Sequence, residues 1–458
     1  MKKALFCLIM LVNAPLFSQD LSGGWTGTLK VQGMELPLVF NFVKTADRYT
    51  ATMDSPKQGA KDIPCSEVQF TDNKLVIKVK TLALEYVGEL KNDTEIVGTF
   101  KQSNFSTAMN LTKGVEKMVR PQEPRPPFPY YSEEVQFTNV SENFALAGTL
   151  TLPQKEGKFP AVVLISGSGQ QNRDSELFGH KSFWVIADYL TRNGIAVLRY
   201  DDRGVGQSKG SLMHSTSADF ATDAAAAVAY LRTRSEINPK EIGIIGHSEG
   251  GMIAPMLAAK DKKIAFLILL AGTGIPGDAL LLNQNYEIGK QRGMTNEQLE
   301  QAKVSNQKIY AILKSNTDIE ATKKQLKSHF ESEYKTMAEN ERPSATELQE
   351  QVNSMVSPWL QFFMKHNPQE DLKKVKCPVL VLNGEKDLQV TPSLNTQGIE
   401  NALKAGGNKN IQVEILPGLN HLFQRCKTCT LEEYGQLEET FAPEVLHLMT
   451  RWIAMQTK

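Results

Sequence analysis

The sequence predicts an α/β fold: a mostly parallel eight-stranded sheet with a helical cap insertion, preceded by a small all-β barrel or sandwich domain. Three observations predict it. From residue 133 onward, continuous apolar runs alternate with helix-length segments, the pattern of strands buried on both faces. Across residues 23–112, apolar side chains recur at every second position, the period of half-buried strands. Between Leu270 and Val379, about a hundred residues contain no good strand.

Composition bounds the function. The chain has 458 residues, which favours two or three domains over one. An apolar fraction of 41% with 22% charged residues fits a globular chain and excludes a disordered one. Lys+Arg and Asp+Glu balance at 51 each. No basic stripe points to nucleic acid, and no acidic tail to a cationic partner. The sequence carries no information on oligomeric state.

Residues 1–18 read as a signal peptide. Lys2 and Lys3 precede an apolar run from Ala4 to Val12, and small or polar residues follow near Ser18. The run is too short to span a bilayer, so no membrane span is expected. Cys7 has too little apolar sequence before it for a lipoprotein cysteine. A secreted or periplasmic protein is expected.

Residues 19–113 form the expected β domain. Leu36, Leu38, Phe40 and Phe42 alternate with other residues, as do Leu75, Ile77 and Val79. Turn residues between such runs mark about eight short strands. Residues 114–132 contain Pro121, Pro124, Pro126, Pro127 and Pro129 and predict an extended, semi-rigid linker. Residues 133–458 are the α/β domain. Strands are expected at 135–140, 145–152, 161–165, 196–200, 242–246, 264–270, 379–382 and 411–416. Helices are expected at 182–192, 218–234, 252–260, 393–405 and 443–455. Residues 274–372 read as a helical cap over the carboxyl ends of the strands, where such sheets bind ligands. A separate helical domain is the alternative.

Chemistry concentrates at three strand ends. Gly246-His247-Ser248-Glu249-Gly250 follows the run 242–245 and opens an Ala/Met-rich helix, which is the setting of a nucleophile elbow. Ser248 is the candidate nucleophile, and it needs a base and an orienting acid. Asp387 follows the strand at 379–382, with Glu385 as a competing acid, and His421 follows the strand at 411–416. The order Ser248, Asp387, His421 is the Ser…acid…His order of α/β-hydrolases. The chain has seven histidines; His247, beside the nucleophile, is expected to point elsewhere and pack in the turn. Oxyanion donors are expected from the backbone N–H of Glu249 and of Ser168 or Gly169, with Gln170 as a further possibility. The carboxylate of Glu249 itself reads as a helix-start acid favoured by the dipole. Cys426 and Cys429 form a C-x-x-C, fitting a local disulfide or two idle thiols; one pair supplies too few ligands for zinc. No metal site and no cofactor loop is read; Gly204-x-Gly206 lacks the rest of a dinucleotide fingerprint.

Three stretches carry a family resemblance: residues 199–208 (Arg-Tyr-Asp-Asp-Arg-Gly-Val-Gly-Gln-Ser), the Gly246-to-Gly251 elbow, and residues 419–424 (Leu-Asn-His-Leu-Phe-Gln). With them, the part from Glu133 on resembles the α/β-hydrolase superfamily. More narrowly it is similar to exported bacterial carboxylesterases of the dienelactone-hydrolase-like and serine-aminopeptidase-like group. The resemblance implies a serine esterase forming an acyl-enzyme on Ser248 with a small-molecule ester substrate. A peptidase using the same triad is the alternative, and a non-catalytic binding protein on the same scaffold the third reading. Thioester hydrolysis is chemically open as well. The resemblance gives residues 199–208 a structural role, bracing the loop after their strand.

Overall fold

The computed structural model describes residues 20–457 except 32–33, 46–47, 59, 104, 115–118, 316–317, 336 and 340–341. The expected signal peptide lies outside the described residues. The chain divides into two compact units between residues 117 and 118.

The N-terminal unit is one antiparallel sheet of ten strands. Its two edge strands, Ala60–Pro64 and Glu67–Thr71, are joined only by Cys65 and Ser66. So short a link between opposite edges makes the sheet roll back on itself: Cys65 N–H still donates to Ala51 on one side at 3.0 Å, and the next residue, Ser66, already donates to Lys78 on the other at 2.8 Å. Trp25, Phe40, Tyr86 and Phe100 fill the single core inside. The count exceeds the expected eight because short strands such as Ala60–Pro64 and Phe105–Ala108 are mostly exposed and lack an apolar alternation.

The second unit holds an eight-stranded sheet of β1 (Tyr131–Asn139), β2 (Phe144–Leu152), β3 (Phe159–Ile165), β4 (Ala196–Tyr200), β5 (Ile237–His247), β6 (Leu267–Leu270), β7 (Val379–Gly384) and β8 (Ile411–Leu416). The spatial order is β1-β2-β4-β3-β5-β6-β7-β8, and β2 alone runs against its neighbours. Alternate residues feed two cores. Ala161, Val163, Ile242 and Ile244 face α2 (Ser217–Thr233) and α3 (Glu249–Lys260). Val162, Leu164, Ile245 and Leu380 face α1 (Ser182–Arg192) and the C-terminal helix Pro443–Gln456. Strand β6 begins three residues later than its apolar run predicts.

Among the described residues, six α-helices lie between β6 and β7, from Gly277–Gln291 to Gln369–Leu372. They carry a core of their own built on Leu313, Leu326, Phe330 and Val352. The proline-rich segment is not a free spacer from Arg120 onward. Arg120 donates to the carbonyls of Phe178, Gly179, Gly435 and Leu437, and Gln122 bonds to both N–H and C=O of Phe441. Polar side chains among the prolines thus hold this stretch on the second unit. No helix among the described residues is long and apolar enough to cross a membrane.

Candidate active site

Strand β5 ends at His247 and α3 starts at Glu249, so Ser248 makes the whole turn alone. Its backbone takes φ 55° and ψ −116°, a strained region for a residue with a side chain. The turn is possible only because nothing projects beside it. A Cβ on Gly246 would lie 2.1 Å from the Gly250 carbonyl oxygen, and one on Gly250 2.2 Å from that of Ile165. Ser248 N–H is held by Leu270 at 2.8 Å, while its hydroxyl bonds to no group among the described residues.

The candidate acid and base follow β7 and β8. Asp387 Oδ1 accepts the N–H groups of Gln389 and Val390 at 2.8 and 2.9 Å. Its Oδ2 accepts from Asn383 Nδ2 at 3.2 Å and meets His421 Nδ1 at 2.7 Å. A carboxylate can only accept, so Nδ1 carries the hydrogen and Nε2 is left as the basic nitrogen. Glu385, the competing acid, is exposed and bonds instead to Gly418 N–H at 3.0 Å. His421 stands in a tight turn closed by Asn420, whose Oδ1 accepts the N–H groups of Leu422 and Gln424, both at 3.0 Å. Gln424 in turn bonds to buried His180 at 2.9 Å.

His247 departs from expectation. It does pack in the turn, but against the base: its ring centroid is 4.8 Å from that of His421, and Nε2 bonds to the His421 carbonyl at 3.0 Å. Burial, aided by nearby His421, pulls its pKa down to about 4, so it is neutral and donates this bond. That contact brings the β8 loop up to the elbow.

The loop after β3 lies on the other side. A Cβ on Gly167 would be 3.2 Å from Ser248 Cβ. The N–H groups of Gly167, Ser168, Gly169 and Gln170 donate to no group among the described residues, nor does that of Glu249. Both expected oxyanion segments therefore have uncommitted donors beside the nucleophile. The two ends of the loop are fastened to Asp202, as Ser166 Oγ and Gln171 N–H donate to its two oxygens at 2.9 and 3.0 Å. Burial raises Asp202 to about 7, with Asp223 and Glu249 adding to the rise.

The Glu249 side chain is more than a helix-start acid. It is buried, and its Oε1 accepts from Ser217 Oγ at 2.6 Å and from Trp359 Nε1 at 2.8 Å. Trp359 belongs to the helix Pro358–Lys365 of the insertion between β6 and β7, so the residue after Ser248 anchors that insertion. Sequence reading offered no signal for this pairing across more than a hundred residues. A small recess of about 10 Å³ lies beside it, lined in part by Gly167, Gly169, Asp202, Asp223 and Glu249. Asp223 is neutralised by buried Arg203 at 2.7 Å.

Cys426 and Cys429 are joined in a disulfide just past the His421 turn. Glu433 accepts the N–H groups of Lys427, Thr428 and Cys429 and holds that loop. The joined sulfurs offer no thiolate to a metal.

Residues 181–425, more than half of the chain, match the family model Hydrolase_4, described as serine aminopeptidase, S33. Esterase EstD of Thermotoga maritima is 25% identical over 279 residues, covering 60% of this chain and 58% of that protein. The uncharacterized protein YfhR of Escherichia coli is 27% identical over 173 residues, covering 35% and 57%. The chain thus spans less than two thirds of the length of these curated relatives. A hypothetical protein of Pseudomonas aeruginosa, PA2218, of known crystal structure, aligns with TM-score 0.46 at 18% identity, over 75% of this chain and 98% of that one.

Proposed function

The chain belongs to the Hydrolase_4 (serine aminopeptidase, S33) family, and from that membership we propose that it is a serine hydrolase of carboxylic esters. The observation that carries the reading is the 2.7 Å bond of Asp387 to His421 Nδ1, with His421 packed against the strained Ser248 turn. The esterase name of the Thermotoga maritima relative supports an ester as substrate.

In this mechanism His421 Nε2 takes the Ser248 hydroxyl proton as Oγ attacks the acyl carbon. The carbonyl electron pair moves onto oxygen, where the N–H groups of Glu249 and of Ser168 or Gly169 stabilise it. Collapse breaks the ester C–O bond, and the alcohol leaves with the proton from His421. Water then repeats the sequence on the acyl-enzyme. The lysines before an apolar run at the N-terminus support export.

One observation favours a peptidase as the second reading. Glu249 lines the small recess next to the elbow, its Oε2 makes no hydrogen bond among the described residues, and no cation among them pairs with its carboxyl. Such a group suits the free amine of a peptide. The test is turnover of p-nitrophenyl acyl esters and aminoacyl p-nitroanilides by the protein and by Ser248→Ala. Ester turnover reduced at least about a thousandfold in Ser248→Ala supports the esterase. Anilide turnover with little ester activity supports the peptidase. Inactivity on both, with no fluorophosphonate labelling of Ser248, overturns both readings.

A further inference from the structure

We propose that Asp202 is a positioning residue that sets the orientation of the oxyanion donors by clamping both ends of the loop 166–171. The inference rests on the ester-hydrolase reading above and extends it to a residue that touches no reacting atom.

The geometry is a closed ring of bonds. Ser166 Oγ donates to Asp202 Oδ1 at 2.9 Å, and Gln171 N–H donates to Asp202 Oδ2 at 3.0 Å. The Asp202 N–H returns a bond to the Gln171 carbonyl at 3.1 Å. Inside the ring, the N–H groups of residues 167–170 make no bond that would fix their direction. The one internal tie is Gln171 Nε2 to the Ser168 carbonyl, at 3.4 Å. Gly167 and Gly169, the latter at φ +95°, leave the backbone free to swing about its ends. An oxyanion donor must be aimed before the reaction, because its value lies in needing no reorganisation during it. Here the aim depends on one side chain.

Asp202 is itself held. It follows β4, and neighbouring Asp201 binds the next stretch of the loop, accepting from Arg173 N–H at 2.9 Å and Arg173 Nη2 at 2.8 Å. The clamp does not require a negative charge. The Ser166 hydroxyl can accept as well as donate, so a protonated carboxyl or an amide can make the same two contacts.

The experiment compares Asp202→Ala, Asp202→Asn and wild type in ester kinetics and in amide hydrogen exchange of the peptide spanning 166–171. Asp202→Ala is expected to lower kcat by about ten- to a hundredfold with KM changed less than about threefold. Exchange of the Gln171 N–H, the loop amide that Asp202 bonds, is expected to rise about tenfold. Asp202→Asn is expected to keep kcat within about threefold and wild-type exchange, because it rebuilds both bonds. Unchanged kcat in Asp202→Ala overturns the proposal. So does an Asp202→Asn that is folded yet as slow as Asp202→Ala, since charge would then be the operative property. Ser166→Ala removes one end of the clamp alone and is expected to lower kcat by an intermediate factor; wild-type kcat with unchanged exchange there also counts against it. If wild type turns over no ester while Asp202→Ala still loosens the loop, the ester-hydrolase reading fails and the clamp stands.

Discussion

The two loops that flank Ser248 are built in opposite ways. The His421 turn is bonded at nearly every residue: Asn420 closes it, Gln424 ties it to His180, and His247 holds its carbonyl. The loop 166–171 is bonded at its ends and open between them. Under the proposed ester hydrolysis, the difference follows from what each loop has to present. A general base is a side chain, so its backbone can be fully saturated with hydrogen bonds. Oxyanion donors are the backbone itself, and each must be left unbonded to act. Rigidity in the second case has to come from outside the segment.

Five substitutions break or sharpen this contrast. The largest effect is expected on the His421 side. Asp387→Asn should lower kcat roughly a thousand- to ten-thousandfold by favouring the wrong imidazole tautomer. Exposed Glu385→Gln should stay within about twofold, and equal losses in steady-state assays would sink the assignment of the acid. Asn420→Ala leaves two buried N–H groups without acceptors and should cost about 2–4 kcal/mol in urea unfolding. A loss below about 1 kcal/mol would mean the turn is not held by this residue.

On the other side, Asp202 gives a pH signature. Its carboxyl is raised to about 7, above the ordinary carboxylate range, so the folded state keeps a proton that the unfolded chain releases. This contribution is fully favourable below about pH 4 and is lost as pH rises to about 7. Asp202→Asn lacks that titration. Relative to the variant, wild type should lose on the order of 2 kcal/mol between pH 5 and pH 8 in urea midpoints, and parallel pH profiles would contradict it. The smallest effect is expected at Trp359→Phe, which removes the donor to Glu249 but keeps a ring. Preference between short and long acyl esters should shift by less than about tenfold, and kcat on the best substrate should fall less than the preference shifts.

The strands and the three strand-end residues were legible because they are local. Buried parallel strands need continuous apolar runs, and the elbow needs Gly246 and Gly250 within two residues of Ser248. The helices Ser182–Arg192 and Pro392–Ala405 were readable for the same reason. What escaped is long-range and polar. Nothing local says that Trp359 reaches Glu249, or that His247 turns toward His421. The segment 199–208 was read as bracing a loop, but which atoms it holds became visible only once β4 and β3 stood side by side. Arg120 and Gln122 were hidden in a different way: prolines around them signalled an extended chain, and extension is compatible with docking.

Glu249 does two jobs through two different atoms. In the proposed mechanism its backbone N–H serves the oxyanion, while its carboxyl joins α2 to the inserted helices through Ser217 and Trp359. Modular engineering is constrained accordingly. An insertion transplanted from another family member must bring a hydrogen-bond donor to the position of Trp359, or the buried Glu249 carboxyl keeps Ser217 as its one donor among the described residues. Conversely, a library that varies the cap while keeping that single indole should preserve the elbow, which makes Trp359 the natural fixed point for remodelling substrate range.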